Sequence, residues 1–140
     1  MKKLCILFVM LCSLAFGQAP LTVFGDLNVG GGHLNPGVGV ALPLTSTTSL
    51  PVEVNRTPNS TVLTVGIKHQ FVQIHRDGIS GIFDLGGAFG KQARFVHEYG
   101  AFYDKWINRK WSASPYVKYS ITDGKGGWAG GLAVSFRWYR

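Results

Sequence analysis

Gly127-Trp128-Ala129-Gly130-Gly131-Leu132-Ala133-Val134-Ser135-Phe136-Arg137-Trp138-Tyr139 decides the fold. Side chains of a strand alternate between its two faces. One face here reads Trp128, Gly130, Leu132, Val134, Phe136, Trp138. The other reads Ala129, Gly131, Ala133, Ser135, Arg137, Tyr139. The first face is bulky and apolar. The second is small, with a single charge.

The same contrast recurs upstream. Val38, Val40, Leu42 and Leu44 alternate with Gly37, Gly39, Ala41 and Pro43. Leu63, Val65, Ile67 and Phe71 alternate with Thr64, Gly66, Lys68 and Gln70. Phe83, Leu85 and Phe89 oppose Asp84, Gly86 and Ala88, and Val117, Tyr119 and Ile121 oppose Tyr116, Lys118 and Ser120. Helical periodicity is absent, and turn residues punctuate the alternation. The breaks fall at 35–37, 45–49, 57–59, 76–78, 91–93, 108–109 and 123–126. They predict eight strands over 21–33, 37–44, 49–56, 61–73, 81–90, 94–106, 111–122 and 127–139. Pro43, Pro51 and Pro115 sit near strand ends, because proline cannot donate to a ladder. The facing of 94–106 stays open: Phe95, Tyr99 and Tyr103 share a face with His97, and Trp106 is out of phase with them.

Alternation alone does not say which face is inside. A soluble barrel turns its apolar face inward, and a membrane barrel turns it outward. A solvated face would be rich in Lys, Glu, Thr and Gln. The weaker face here is mainly Gly, Ala and Ser, which suits the narrow bore of eight strands. Charges follow the same phase. Asp26, Glu53, Lys68, Asp84, Glu98, Lys118 and Arg137 come from seven different segments and carry both signs. They are expected to form an interior polar network, since buried charges persist when paired, and Arg94 is a candidate to join them. Trp128 and Trp138 are ten residues apart on one face, roughly 25 Å along a tilted barrel axis, about the height of a lipid-facing band. With Trp111 they are expected to form an aromatic girdle.

Composition agrees. The 140 residues hold 19 Gly, nine Phe, five Tyr and four Trp, with only 15% charged residues against about 25% in ordinary soluble domains. This excludes disorder, coiled coil and collagen. Met1-Lys2-Lys3, the apolar run 4–16 and Ala15-Phe16-Gly17 read as a secretory signal peptide over 1–17, leaving a barrel domain over 18–140. The run is too short for a spanning helix. Cleavage would remove Cys5 and Cys12, so the mature chain would hold no disulfide or cysteine metal site. Losing Lys2 and Lys3 lowers the net charge from +7 to +5 over 123 residues.

An export signal, eight alternating strands, no mature cysteine and the aromatic-rich segment from Gly130 to Tyr139 resemble the small eight-stranded outer-membrane β-barrel proteins of diderm bacteria. The resemblance lies in the pattern and covers nearly all of 18–140. Members often end on an aromatic residue; here Arg140 follows Tyr139. The resemblance implies an antiparallel up-and-down transmembrane barrel, inserted by the outer-membrane assembly machinery, with both termini in the periplasm and the first, third, fifth and seventh turns outside. Its partners would be outer-membrane lipids, and it is expected to be a monomer.

Chemical motifs are few. His33, His69, His75 and His97 show no metal-ligand spacing, so no metal or other cofactor is expected. His97-Glu98 reads either as an acid/base pair or as a rim histidine beside an interior glutamate. Gly30-Gly31-Gly32 and Gly86-Gly87 lack the following helix of a phosphate loop and fit curvature or bulges. The basic residues form no long run, so nucleic acid is not an expected partner. Lys105, Arg109, Lys110 and Lys125 lie near strand ends, where they would meet anionic head groups. The expected role is mainly structural, with minor adhesion or transport, and not enzymatic. The rival is a secreted lipocalin-like barrel with Leu132, Val134 and Phe136 toward a small apolar ligand. A weaker rival is a lipid A-modifying enzyme.

Overall fold

A computed structural model of the chain describes residues 20–138; the segment 1–17 expected to be a signal peptide, with its two cysteines, and Tyr139 lie outside the described residues. Eight strands run in order: β1 (Leu21–Gly30), β2 (His33–Pro43), β3 (Thr48–Arg56), β4 (Thr61–Ile74), β5 (Asp77–Phe89), β6 (Ala93–Trp106), β7 (Trp111–Thr122) and β8 (Lys125–Trp138). Each pairs with its sequence neighbours, and β1 pairs antiparallel with β8, so the sheet closes into a barrel. Closure gives each strand a ladder on both sides and removes the exposed edges that would template association.

Tight turns follow from local chemistry. Gly31 and Gly32 have φ of 58° and 77°, and Asp123 and Gly124 have 51° and 75°. Two successive left-handed residues are what a two-residue hairpin with the right twist requires. At the opposite end of the barrel, Thr45 Oγ1 accepts from the Thr47 and Thr48 amides, and Asn108 Oδ1 accepts from those of Lys110 and Trp111 at 2.8 and 2.9 Å.

The first break differs from the expectation. The chain turns at Gly31-Gly32, and Asn35-Pro36-Gly37 lies inside β2. Pro36 pairs only with Leu27 of β1, because the β2–β3 ladder begins at Gly37. Its missing N–H therefore costs no bond. Two other prolines within the sheet leave gaps. The β3–β4 register breaks off around Pro51, and the β6–β7 register around Pro115. β5 begins at Asp77, earlier than expected, because the turn is the left-handed His75 with Arg76. A bulge between Gln70 and Val72 then leaves Phe71 and Val72 both exposed.

The bulky face is the outer one. Val38, Leu63, Val65, Ile67, Phe83, Leu85, Leu132 and Val134 are all at least two-fifths exposed, while Thr64, Asp84, Ser114 and Ala133 on the alternate phase are buried. Phe136 lies against Trp111 on the outside. The soluble-barrel arrangement, with Leu132, Val134 and Phe136 lining a cavity, is therefore not the one adopted. In β6 the inward residues are Val96, Glu98, Phe102 and Asp104, with Trp106 following the same phase at the end of the strand.

Glycines make room inside. In the register Gly37 faces Asp26, Gly39 faces Glu53, Gly66 faces Asp84, Gly100 faces Lys118 and Gly131 faces Tyr116. A methyl group at Gly37, Gly66, Gly100 or Gly131 would run into that opposing side chain. At those four positions the long inward residue occupies the space that the glycine on the neighbouring strand leaves free.

Candidate functional site

The barrel interior holds the chemistry-bearing residues. At mid-height Lys118 Nζ lies 3.0 Å from Glu53 Oε2, 3.5 Å from Glu98 Oε2 and 3.8 Å from Asp84 Oδ2. The strand order explains the grouping. Asp84 is paired with Glu98 across β5–β6, Gly100 with Lys118 across β6–β7, and Glu53 with Thr64 across β3–β4. All four charged side chains are nearly inaccessible. Asn55 Nδ2 also donates to Glu53 Oε1, and Ser120 donates to Glu98 Oε1 at 2.6 Å.

Asp26 belongs to an adjoining group. Tyr116 Oη and Asn28 Nδ2 donate to its Oδ2, and Asn35 Nδ2 donates to Asn28 Oδ1 at 3.1 Å. Lys68 lies in a separate cluster near the β2–β3 turn end. Its Nζ is 2.6 Å from Asp104 Oδ1, and Ser80 and Ser114 also donate to Asp104. Lys68 also sits 4.4 Å above the Phe102 ring. Arg137 stacks on Trp106 at 4.2 Å, at the same end. Arg94, at the opposite mouth, lies 3.4 Å from Asp123 with both side chains more than half exposed. The seven interior charges therefore face one lumen but occupy distinct clusters rather than one network.

Sequence reasoning missed Asp104, Tyr116, Asn28, Asn35 and Asn55 as members of these clusters. Asp104 was obscured because the facing of 94–106 was undecided: aromatic residues occur on both faces of that strand. The asparagines sit on the inward phase with Asp26, Gly37 and Glu53, a signal that alternation carries once extended to uncharged polar residues.

Two cavities lie in the lumen among the described residues. One, of about 610 Å³, opens toward the β1–β2 and β3–β4 turns and is lined by Asn35, Asn55, Arg94, Glu98 and Thr122 among others. The other, of about 470 Å³, opens toward the opposite end and is lined by Lys68, Phe102, Asp104, Trp106 and Arg137 among others. Tyr116 and Lys118 line both and so lie between them.

Trp111, Trp128 and Trp138 all point outward and are exposed. Trp111 pairs in register with Phe136, and Trp128 with Tyr119, placing Trp111 and Trp138 near one end and Trp128 near the other. His97 lies on the outer face between the Phe95 and Tyr99 rings, whereas Glu98 points inward and is buried. The two cannot act together on one substrate. Among the described residues, no group of three His, Cys, Asp or Glu side chains is arranged to hold a metal ion.

The N-terminal β-barrel domain of Pseudomonas aeruginosa OprF superposes on 87% of this chain and 99% of its own length, with a TM-score of 0.70 and 15% identity. The fold is that of a small outer-membrane β-barrel. De novo designed transmembrane β-barrels are similar at TM-scores of 0.61, with 12 and 13% identity, over 86% of this chain and 97 and 95% of theirs. No protein-family model matches the sequence, and no curated protein does. At these identities the likeness extends to architecture and not to individual interior residues.

Proposed function

We propose that the protein is an integral outer-membrane β-barrel with a mainly structural role, exported with loss of residues 1–17 and inserted as a monomer. The observation that carries this reading is the outer face. A closed sheet exposes Val38, Leu63, Ile67, Phe83, Leu132 and Val134 around its waist. In water such a continuous apolar surface would drive association. In lipid it is the stable arrangement, because closure satisfies the backbone internally. Trp111 and Trp138 at one end and Trp128 at the other fit interfacial girdles. Lys105, Arg109, Lys110 and Lys125 lie at strand ends and turns, within reach of anionic head groups. Closure of β1 on β8 supports a monomer.

The short turns and the Lys118 cluster between the two cavities support a structural role over an open pore. The division of His97 and Glu98 between opposite faces supports a non-enzymatic one. The test is fractionation followed by an unboiled gel. The protein is expected in the outer-membrane fraction after a carbonate wash, migrating differently before and after boiling. Recovery in the soluble fraction would overturn the reading.

A further inference from the structure

The central cluster is unbalanced. Glu53, Asp84 and Glu98 surround Lys118, and Asp26 lies beside them through Tyr116, giving four buried carboxyl groups to one ammonium. Neighbouring hydroxyls and amides donate hydrogen bonds but bring no positive charge. Gathering like charges away from water is costly unless something compensates them.

Two oxygens mark where compensation is missing. Asp26 Oδ1 and Asn55 Oδ1 are both buried and accept no hydrogen bond. Asp26 and Asn55 are each more than nine-tenths buried. Both oxygens lie side by side over Gly37, in the space where other residues carry a Cβ: a methyl group there would overlap both. Asn55 already uses its Nδ2 on Glu53, so reversing its amide would set an oxygen against the Glu53 carboxylate. Asn35 Oδ1, two residues along β2 on the same inward phase, is likewise buried and unpartnered. These are acceptors without donors, in a region with surplus negative charge.

We propose that this pair of oxygens over Gly37 binds a hard, oxygen-seeking divalent cation, with calcium the fitting class. Asp26 Oδ1 and Asn55 Oδ1 are its protein ligands, and water from the lumen, where Asn55 lines the 610 Å³ cavity and Asp26 the 470 Å³ one, completes the shell. Calcium accepts carboxylate, amide carbonyl and water oxygens in flexible geometry, whereas magnesium demands a near-ideal octahedron. The surplus of carboxylates favours a divalent over a monovalent ion. Asn55, Asn35 and the 610 Å³ cavity they line give the ion a polar route from the mouth.

The folded barrel in detergent, stripped with chelator, is titrated with calcium chloride by calorimetry, with sodium chloride at matched ionic strength as the reference. One calcium site per chain is expected, together with a rise in melting temperature of about 5 °C at saturation, since an ion that binds only the native state stabilises it. D26N removes the charged ligand and G37A displaces both oxygens; each should abolish the site. N55D adds a carboxylate at the same place and should enlarge the calcium-dependent rise in stability beyond that of the wild type. Should G37A fail to fold, D26N and the wild-type titration decide. No calcium heat in the wild type, an equal response to sodium, or an unchanged site in D26N would each overturn the proposal.

Discussion

Replacing Lys118 with methionine should cost far more than replacing Lys68. Methionine keeps the length and apolar stem of lysine, so packing against Phe102 and Tyr116 is largely retained. The ammonium is lost. Lys118 is about 6% exposed and is the cation facing Glu53, Asp84 and Glu98. Its removal leaves three buried carboxyl groups without a counter-charge. Breaking a buried pair from one side costs about 3–5 kcal/mol, a large part of the roughly 5–15 kcal/mol that holds a domain folded. Lys68 presents a milder case. It is about 23% exposed, and Asp104 keeps the hydroxyls of Ser80 and Ser114 when it is gone. Its loss should cost about 1 kcal/mol. Urea unfolding in detergent micelles, followed by tryptophan fluorescence and by band shift on an unboiled gel, reads the difference. With a slope near 2 kcal/mol per molar urea, K118M should lower the midpoint by about 2 M and K68M by about 0.5 M. Adding E53Q to K118M should restore part of the loss, because one stranded charge is removed with its partner. Equal midpoints for K118M and K68M would refute the view that the cluster is held together by a single buried cation.

Other outcomes follow from the two faces and the glycines. L132R, on the outward face, should block stable insertion, at a cost of about 2–4 kcal/mol near the bilayer midplane; liposome flotation checks it, and normal flotation would count against a lipid-facing β8. Lipid-borne quenchers should dim W106F protein, which retains Trp111, Trp128 and Trp138, almost completely, and should leave Trp106 bright in a variant lacking the other three. G86A should destabilise by about 1–3 kcal/mol through overpacking, since its methyl would meet the Leu63 carbonyl and Thr64 backbone, whereas at Gly127 a methyl meets nothing and G127A should be close to neutral in the same urea assay.

Much of this was legible in the chain. The break residues located six of the seven turns, and the contrast between bulky and small phases named the outer face. What misled was local. Asn35-Pro36-Gly37 has the composition of a turn, but Gly31-Gly32 can both adopt left-handed backbone, and the hairpin forms where that freedom lies. The β6 facing was undecidable from hydrophobicity, since Phe95 and Tyr99 outside are matched by Phe102 and Trp106 inside. The lumen tolerates aromatic rings where neighbouring strands supply small residues.

By itself the sequence determined the strand count, the phase of each strand other than β6, and the inward direction of Asp26, Glu53, Lys68, Asp84, Lys118 and Arg137. Side-chain direction in a strand is a period-two property, and it needs no knowledge of neighbours. Which inward charge meets which was decided only by the tertiary structure. Pairing depends on the stagger between strands, set by turn lengths, bulges and closure of β1 on β8. That stagger sends Lys118 to Glu53, Asp84 and Glu98, gives Lys68 to Asp104, places Arg137 on Trp106, and sets the Asp26 and Asn55 oxygens side by side over Gly37.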